Sequence, residues 1–91
     1  MAKLYQWEII EPSEEEGTED ILHSVALRCS MLTGKAKITI DGTEFNIGTR
    51  PFGLRGTNQM FRLGEMAALL DFPKSGQPRI LIDGEAAPQK Q

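Results

Sequence analysis

Cysteine and histidine are almost absent from this sequence, in which Cys29 and His23 are the only residues of their types. A single cysteine excludes an intramolecular disulfide framework and an all-cysteine zinc site, and it fits a reducing compartment. No apolar run approaches the roughly 18 residues of a membrane-spanning helix. The first residues also contain no continuous apolar segment typical of a signal peptide. We therefore expect a soluble cytoplasmic protein that does not enter a membrane.

Positive charge is also in deficit, with 10 Lys and Arg against 13 Asp and Glu, and the net charge is −3. Nucleic-acid binding requires a basic footprint, so we expect no nucleic-acid partner. Residues 1–27 carry seven acids and one base, a net −6, whereas residues 28–62 carry six bases and two acids, a net +4. This distribution indicates complementary charge within the chain or a surface for a partner, or else a solvated loop beside ordinary strand exteriors.

The length of 91 residues fits one domain with one hydrophobic core, residues 1–91. Apolar and polar residues alternate with the period of two that is typical of β-strands. Tyr5, Trp7 and Ile9 share one face of a first strand, which we expect to break at Glu11-Pro12-Ser13. Residues 12–20 form an acidic loop. A second strand is expected from Ile21 to Ser30, with His23, Val25, Leu27 and Cys29 on one face.

A β-hairpin is expected at Asp41-Gly42, after a turn at residues 31–34. Asp-Gly is a preferred dipeptide of the two-residue type I′ turn, because both positions need a positive φ. The two-residue loop predicts three facing pairs, which are Ile40 with Thr43, Ile38 with Phe45, and Ala36 with Ile47.

A second hairpin is expected from residues 52–55 and 60–63, joined by a four-residue loop over 56–59. It pairs Leu54 with Phe61 and Phe52 with Leu63. Residues 64–72 fit either a strand or a short helix, and their alternation favours a strand. Arg79 to Ile82 forms the last clear strand and runs into Asp83-Gly84, beyond which we expect no proper return strand. Residues 86–91 are then a flexible tail.

An internal similarity relates residues 33–42 to residues 75–84 at a constant offset of 42. Extended backwards, it places Val25 to Leu27 on Ala67 to Leu69. It indicates either a half-domain repeat or two independent uses of the same turn residues. The predicted fold is an all-β antiparallel β-sandwich of about eight short strands, in two similar four-stranded halves if the repeat is genuine.

The order of these segments resembles that of the Fas apoptotic inhibitory molecule family. The matching segments are Trp7-Glu8-Ile9, His23-x-Val25-x-Leu27, Thr33 to Gly42, Phe52-x-Leu54-x-Gly56, Phe61-x-Leu63-Gly64, Ala68-x-Leu70, Ser75-Gly76 and Leu81 to Glu85. The resemblance implies a non-enzymatic antiparallel β-sandwich linked to resistance to apoptosis and protection against protein aggregation. This chain departs from the family in having one such domain instead of two, and in its acidic insertion over residues 12–20.

The sequence offers no catalytic, cofactor-binding or metal-binding set. His23 and Cys29 lie six residues apart on one predicted strand, which separates them by about 20 Å and prevents a Cys–His dyad within one chain. One histidine, one cysteine and scattered carboxylates match no spacing known for a metal site. We expect no enzyme activity and no cofactor.

Arg55, Met60 and Arg62 are the candidate binding residues, on the outer face of the second predicted hairpin. Two guanidinium groups on one face of a sheet are suited to grip a carboxylate or a phosphate. The alternative is an ordinary outward-facing pair of arginines, with the acidic loop as their partner.

Two functions remain open. The first is an interaction module that binds a protein partner or itself, as a homodimer, through a sheet face or edge. The second is a small-ligand carrier or accessory subunit with a pocket between the sheets. The sequence does not reveal a set of polar residues that would converge in such a pocket.

Overall fold

The protein is an all-β sandwich of two antiparallel sheets. The computed structural model describes residues 2–30, 35–48 and 56–90, and residues 49–55 lie outside them. The strands are β1 (Ala2–Glu11), β2 (Ile21–Ser30), β3 (Ala36–Ile40), β4 (Thr43–Gly48), β5 (Thr57–Leu63), β6 (Met66–Phe72), β7 (Arg79–Ile82), β8 (Glu85–Ala86) and β9 (Gln89–Lys90). The described residues include no helix that could cross a membrane.

The two halves of the chain form two similar sheets. The first sheet has the order β4-β3-β2-β1-β9, and the second has the order β5-β6-β7-β8. In the described residues, each half is therefore a four-stranded meander in chain order, as the predicted half-domains required. The short strand β9 adds to the first sheet beside β1, so the end of the described chain returns to the half in which it began.

The hydrophobic core lies between the sheets and takes side chains from the inward face of each. The predicted inward faces of β1, β2 and β6 are confirmed, including the strand at residues 66–72. The core residues are Trp7, Ile9, Val25, Leu27, Ala36, Ile38, Leu63, Ala68, Leu70, Phe72 and Ile80.

The hairpin at Asp41-Gly42 forms as predicted, with φ of 48° and 89° at its two turn residues. Ile40 faces Thr43 and Ile38 faces Phe45. The third predicted pair is wrong, because the register shifts between Ala36 and Lys37 and Ala36 faces Gly48. This β-bulge adds one residue to β4, which the turn chemistry could not reveal.

The internal similarity matches the backbone of the turns that follow β3 and β7, and further back it matches β2 to β6 one residue out of register. Asp83-Gly84 has φ of 52° and 81°, close to the values at Asp41-Gly42. The backward extension places buried Val25 on exposed Ala67. A shift of one residue, which places Val25 on Ala68, brings the buried faces of β2 and β6 together.

Three other predictions are corrected. Thr57 to Gln59 belong to β5 and pair with β6, so residues 56–59 are not a loop between hairpin strands. The predicted pairs of Phe52 and Leu54, and the turn at residues 31–34, lie outside the described residues. Asp83-Gly84 is followed by a return strand, β8, which pairs with β7, and β9 pairs with β1. The expectation of no return strand and that of a flexible tail are therefore both wrong for residues 85–90.

Candidate functional site

Of the three predicted binding residues, the structure describes two. Met60 and Arg62 both lie on β5, and Met60 is 71% exposed. Arg55 lies outside the described residues, and with it the predicted pair of arginines. Within the described ranges, the exposed Arg62 guanidinium has neither an ion pair nor a hydrogen bond.

A cavity of about 490 Å³ opens between the sheets on the side of β4 and β5. Six apolar side chains line most of it, and four residues with polar side chains complete the described lining. The apolar residues are Ile38, Ile40, Phe45, Ile47, Phe61 and Leu70, and the polar ones are Thr43, Asn46, Gln59 and Arg62. The sequence did not reveal this set, because its members come from four strands of both sheets.

A partly buried ionic network lies at the end of the sandwich where β1 ends and β2 begins. His23, 5% exposed, is hydrogen-bonded through both ring nitrogens. Its Nε2 lies 2.9 Å from Oε1 of Glu11, and its Nδ1 lies 2.6 Å from Oδ2 of Asp41. Two carboxylates on opposite edges of one imidazole favour the protonated ring, which donates from both nitrogens.

The same network links the two sheets. Glu11 is the last residue of β1, so the strand ends where the break was expected, and its side chain is buried. Its Oε2 accepts a hydrogen bond from the backbone N–H of Glu65, in the turn between β5 and β6. Beside it, Gly64 has a φ of +64°, and a Cβ there would clash with the Glu11 carboxylate. The turn therefore needs glycine for its backbone and for its close approach to Glu11.

Hydrogen bonding sets the pKa values of the three groups. Bonds from His23 and from the Glu65 N–H lower the pKa of Glu11, and bonds from His23 and from the Ser24 N–H lower that of Asp41. Burial alone would lower the pKa of His23. The hydrogen bonds and charges of the two carboxylates outweigh burial and raise it.

This network has no free ring nitrogen to offer a substrate. Both nitrogens of His23 are engaged by carboxylates, so the imidazole is not placed to act as a general base. Cys29 is half-buried, and burial raises the pKa of its thiol, which disfavours the nucleophilic thiolate. Among the residues that the structure describes, no group of three acidic, histidine or cysteine side chains could hold a metal ion.

Sequence reasoning identified His23 as an inward-facing residue and missed its two partners. A signal for Glu11 was present, because it continues the alternation of Trp7 and Ile9 by one more inward position. For Asp41 there was no such signal. An aspartate before glycine is already explained by the turn, whether or not its carboxylate binds another group.

The solvent-facing surface of β1 and β2 carries large apolar side chains. We call it the outer face, and it consists of Leu4, Gln6, Glu8 and Ile10 of β1 with Leu22, Ser24, Ala26 and Arg28 of β2. Leu4, Ile10 and Leu22 are 53%, 60% and 57% exposed.

The outer face has a different charge at each end. Leu4 faces Arg28 across the two strands at one end, and Ile10 faces Leu22 at the other. The acidic loop of residues 12–20 joins the strands at the Ile10 end. Arg28 has no ion pair with any residue in the described ranges, whereas Glu8 pairs with Lys90. One end is therefore basic and the other acidic, with apolar side chains at both.

Comparison with known proteins gives no match to a family model, to a curated protein or to a solved structure. The resemblance to the Fas apoptotic inhibitory molecule family stays a prediction.

Proposed function

We propose that this protein is a non-enzymatic interaction module that binds a second copy of itself through the outer face of its first sheet. The observation that carries the proposal is the arrangement of that face. Its Leu4–Arg28 and Ile10–Leu22 pairs lie three residues on either side of the Trp7–Val25 pair. A two-fold axis through this central pair, perpendicular to the strands and parallel to the sheet, places the Leu4–Arg28 end of one copy against the Ile10–Leu22 end of the other.

Such a pairing is self-complementary in charge and in polarity. Leu4 of one copy packs on Ile10 of the other, and Arg28 approaches the acidic loop. A two-fold interface uses the same surface patch on both copies, so each favourable contact occurs twice. The pairing also covers apolar side chains that are otherwise exposed to water. The family resemblance supports the non-enzymatic class.

Sedimentation equilibrium of the wild-type chain and of Arg28→Glu tests this proposal. We expect a reversible dimer that weakens as salt is added, because the charges at the interface are solvent-exposed. Arg28→Glu places like charges opposite each other, and we expect the dimer dissociation constant to rise at least about tenfold.

The matched control is Arg62→Glu, which makes the same charge change on β5 of the second sheet. It should leave the dimer dissociation constant unchanged. A wild-type chain that stays monomeric at about 1 mM, or equal weakening by both variants, contradicts self-association through this face.

A second candidate function is a small-ligand carrier. The observation in its favour is the cavity between the sheets, where four residues with polar side chains join an apolar lining. Ligand sites in proteins have this composition, with volumes of about 300 to 1,000 Å³.

A further inference from the structure

The cavity between the sheets has the shape and polarity of a site for an apolar molecule. Isoleucine and phenylalanine side chains dominate its lining, and it opens to solvent. Phe45, in β4, is 50% exposed although it follows the inward alternation of its strand. A molecule in the cavity would cover apolar surface of Phe45 and of its neighbours, and such burial is favourable.

The described lining of this cavity carries charge of one sign. Arg62 is the only charged residue in its described lining, which includes no carboxylate. Since Arg62 is exposed, it contributes to the solvent-facing margin of the described lining and not to the apolar interior. Asn46, Gln59 and Thr43 add neutral hydrogen-bonding groups to the lining. An occupant with an apolar body and one negatively charged end would satisfy both parts.

We propose that this cavity binds a small apolar anion of the medium-chain carboxylate class, with its carboxylate at Arg62 and its chain between β4 and β5. This inference rests on the second candidate function, the carrier, and gives that function a ligand class. It is independent of dimer formation, because the outer face lies on the opposite side of the first sheet.

Titration with octanoate and with octanol, followed by backbone amide shifts in NMR spectra, tests the ligand class. The two probes share an apolar chain and differ in charge at neutral pH. We expect octanoate to bind more tightly and to shift the amides of β3, β4 and β5. Arg62→Gln should weaken octanoate binding about tenfold and leave octanol binding unchanged.

The control variant is Arg79→Gln, which removes one exposed arginine on β7, outside the cavity lining and the outer face, and should change neither affinity. If both probes bind equally and Arg62→Gln has no effect, the cavity is a carrier site but the anionic class is wrong. If neither probe binds, or the shifts lie outside the cavity, both the ligand class and the carrier function are overturned.

Discussion

In the described residues, His23 and Glu11 are the buried ionisable groups, and His23 lies at the centre of their network. The imidazole joins the end of β1 to the turn between β3 and β4, and through Glu11 the contact extends to the second sheet. Buried groups of this kind cost desolvation energy and are tolerated only when all their hydrogen-bonding atoms are satisfied. In the described residues, every buried side-chain nitrogen and oxygen has a partner.

The titration of this network predicts how stability changes with pH. The folded chain raises the pKa of His23 above 6.5, so its contribution is complete below that value and is lost as pH rises through the folded pKa. The pKa values of Glu11 and Asp41 are lowered from 4.5 and 3.8. Their contribution is complete above those values and is lost as pH falls through the lowered ones.

We therefore expect the free energy of unfolding to be highest between about pH 4.5 and 6.5 and to fall on both sides. Urea denaturation across this range measures it. In His23→Gln, the fall in stability on the alkaline side should be absent or much smaller. If the variant and the wild type lose stability in parallel above pH 6.5, the charged form of His23 does not hold the network together.

Among the strand connections, the two Asp-Gly turns have nearly the same backbone and different surroundings. Asp41 binds His23 and the N–H of Ser24, whereas Asp83 makes no hydrogen bond or ion pair within the described residues. Asn-Gly suits a type I′ turn as well as Asp-Gly does. Replacing aspartate by asparagine therefore keeps the turn, removes the charge and replaces one acceptor oxygen by an NH2 donor.

We expect Asp41→Asn to lower the free energy of unfolding by about 1 kcal/mol, since it weakens a charged hydrogen bond of a partly exposed group. Asp83→Asn should stay within about 0.5 kcal/mol of the wild type. Chemical denaturation of the two variants side by side makes the comparison. Equal losses would mean that the turn, and not the network, determines the cost at Asp41.

The elements follow from the sequence wherever alternation and turn chemistry agree. The bounds of β2 and the first two pairs of the β3–β4 hairpin are of this kind. The prediction is wrong at the bulge facing Ala36 and missed the inward contact of Glu11, because tertiary contacts decide both. It also missed β8 and β9, which have two residues each and so are too short to show an alternating pattern.

The candidate sites were less predictable than the strands. Arg62 and Met60 were identified from their place on a predicted strand, but the cavity beside Arg62 depends on how the two sheets lie together. A pattern along one strand contains no information about its neighbours in the opposite sheet. For the same reason, the partners of His23 could be identified only from the pairing register of β1, β2 and β3.

At the scale of the whole molecule, the described residues form a hydrophobic core, a cavity at one side of it, and the outer face on the opposite side of the first sheet. The core is filled where β1 and β2 cover the second sheet, and it opens into a cavity toward β4 and β5. On the opposite side of the first sheet, the outer face carries apolar side chains and separated charges. The proposed dimer uses the outer face and leaves the cavity accessible, so the two candidate functions are compatible.

Disulfide trapping tests the two-fold arrangement most directly. Leu4→Cys and Ile10→Cys are made as separate chains, each with Cys29→Ser to remove the native thiol, and are oxidised alone and as an equal mixture. The proposed axis at the Trp7–Val25 pair predicts that the mixture forms a heterodisulfide between positions 4 and 10. Each variant alone should cross-link poorly. Homodisulfides as abundant as the mixed product, or no cross-linking at dimer-forming concentrations, would contradict the arrangement.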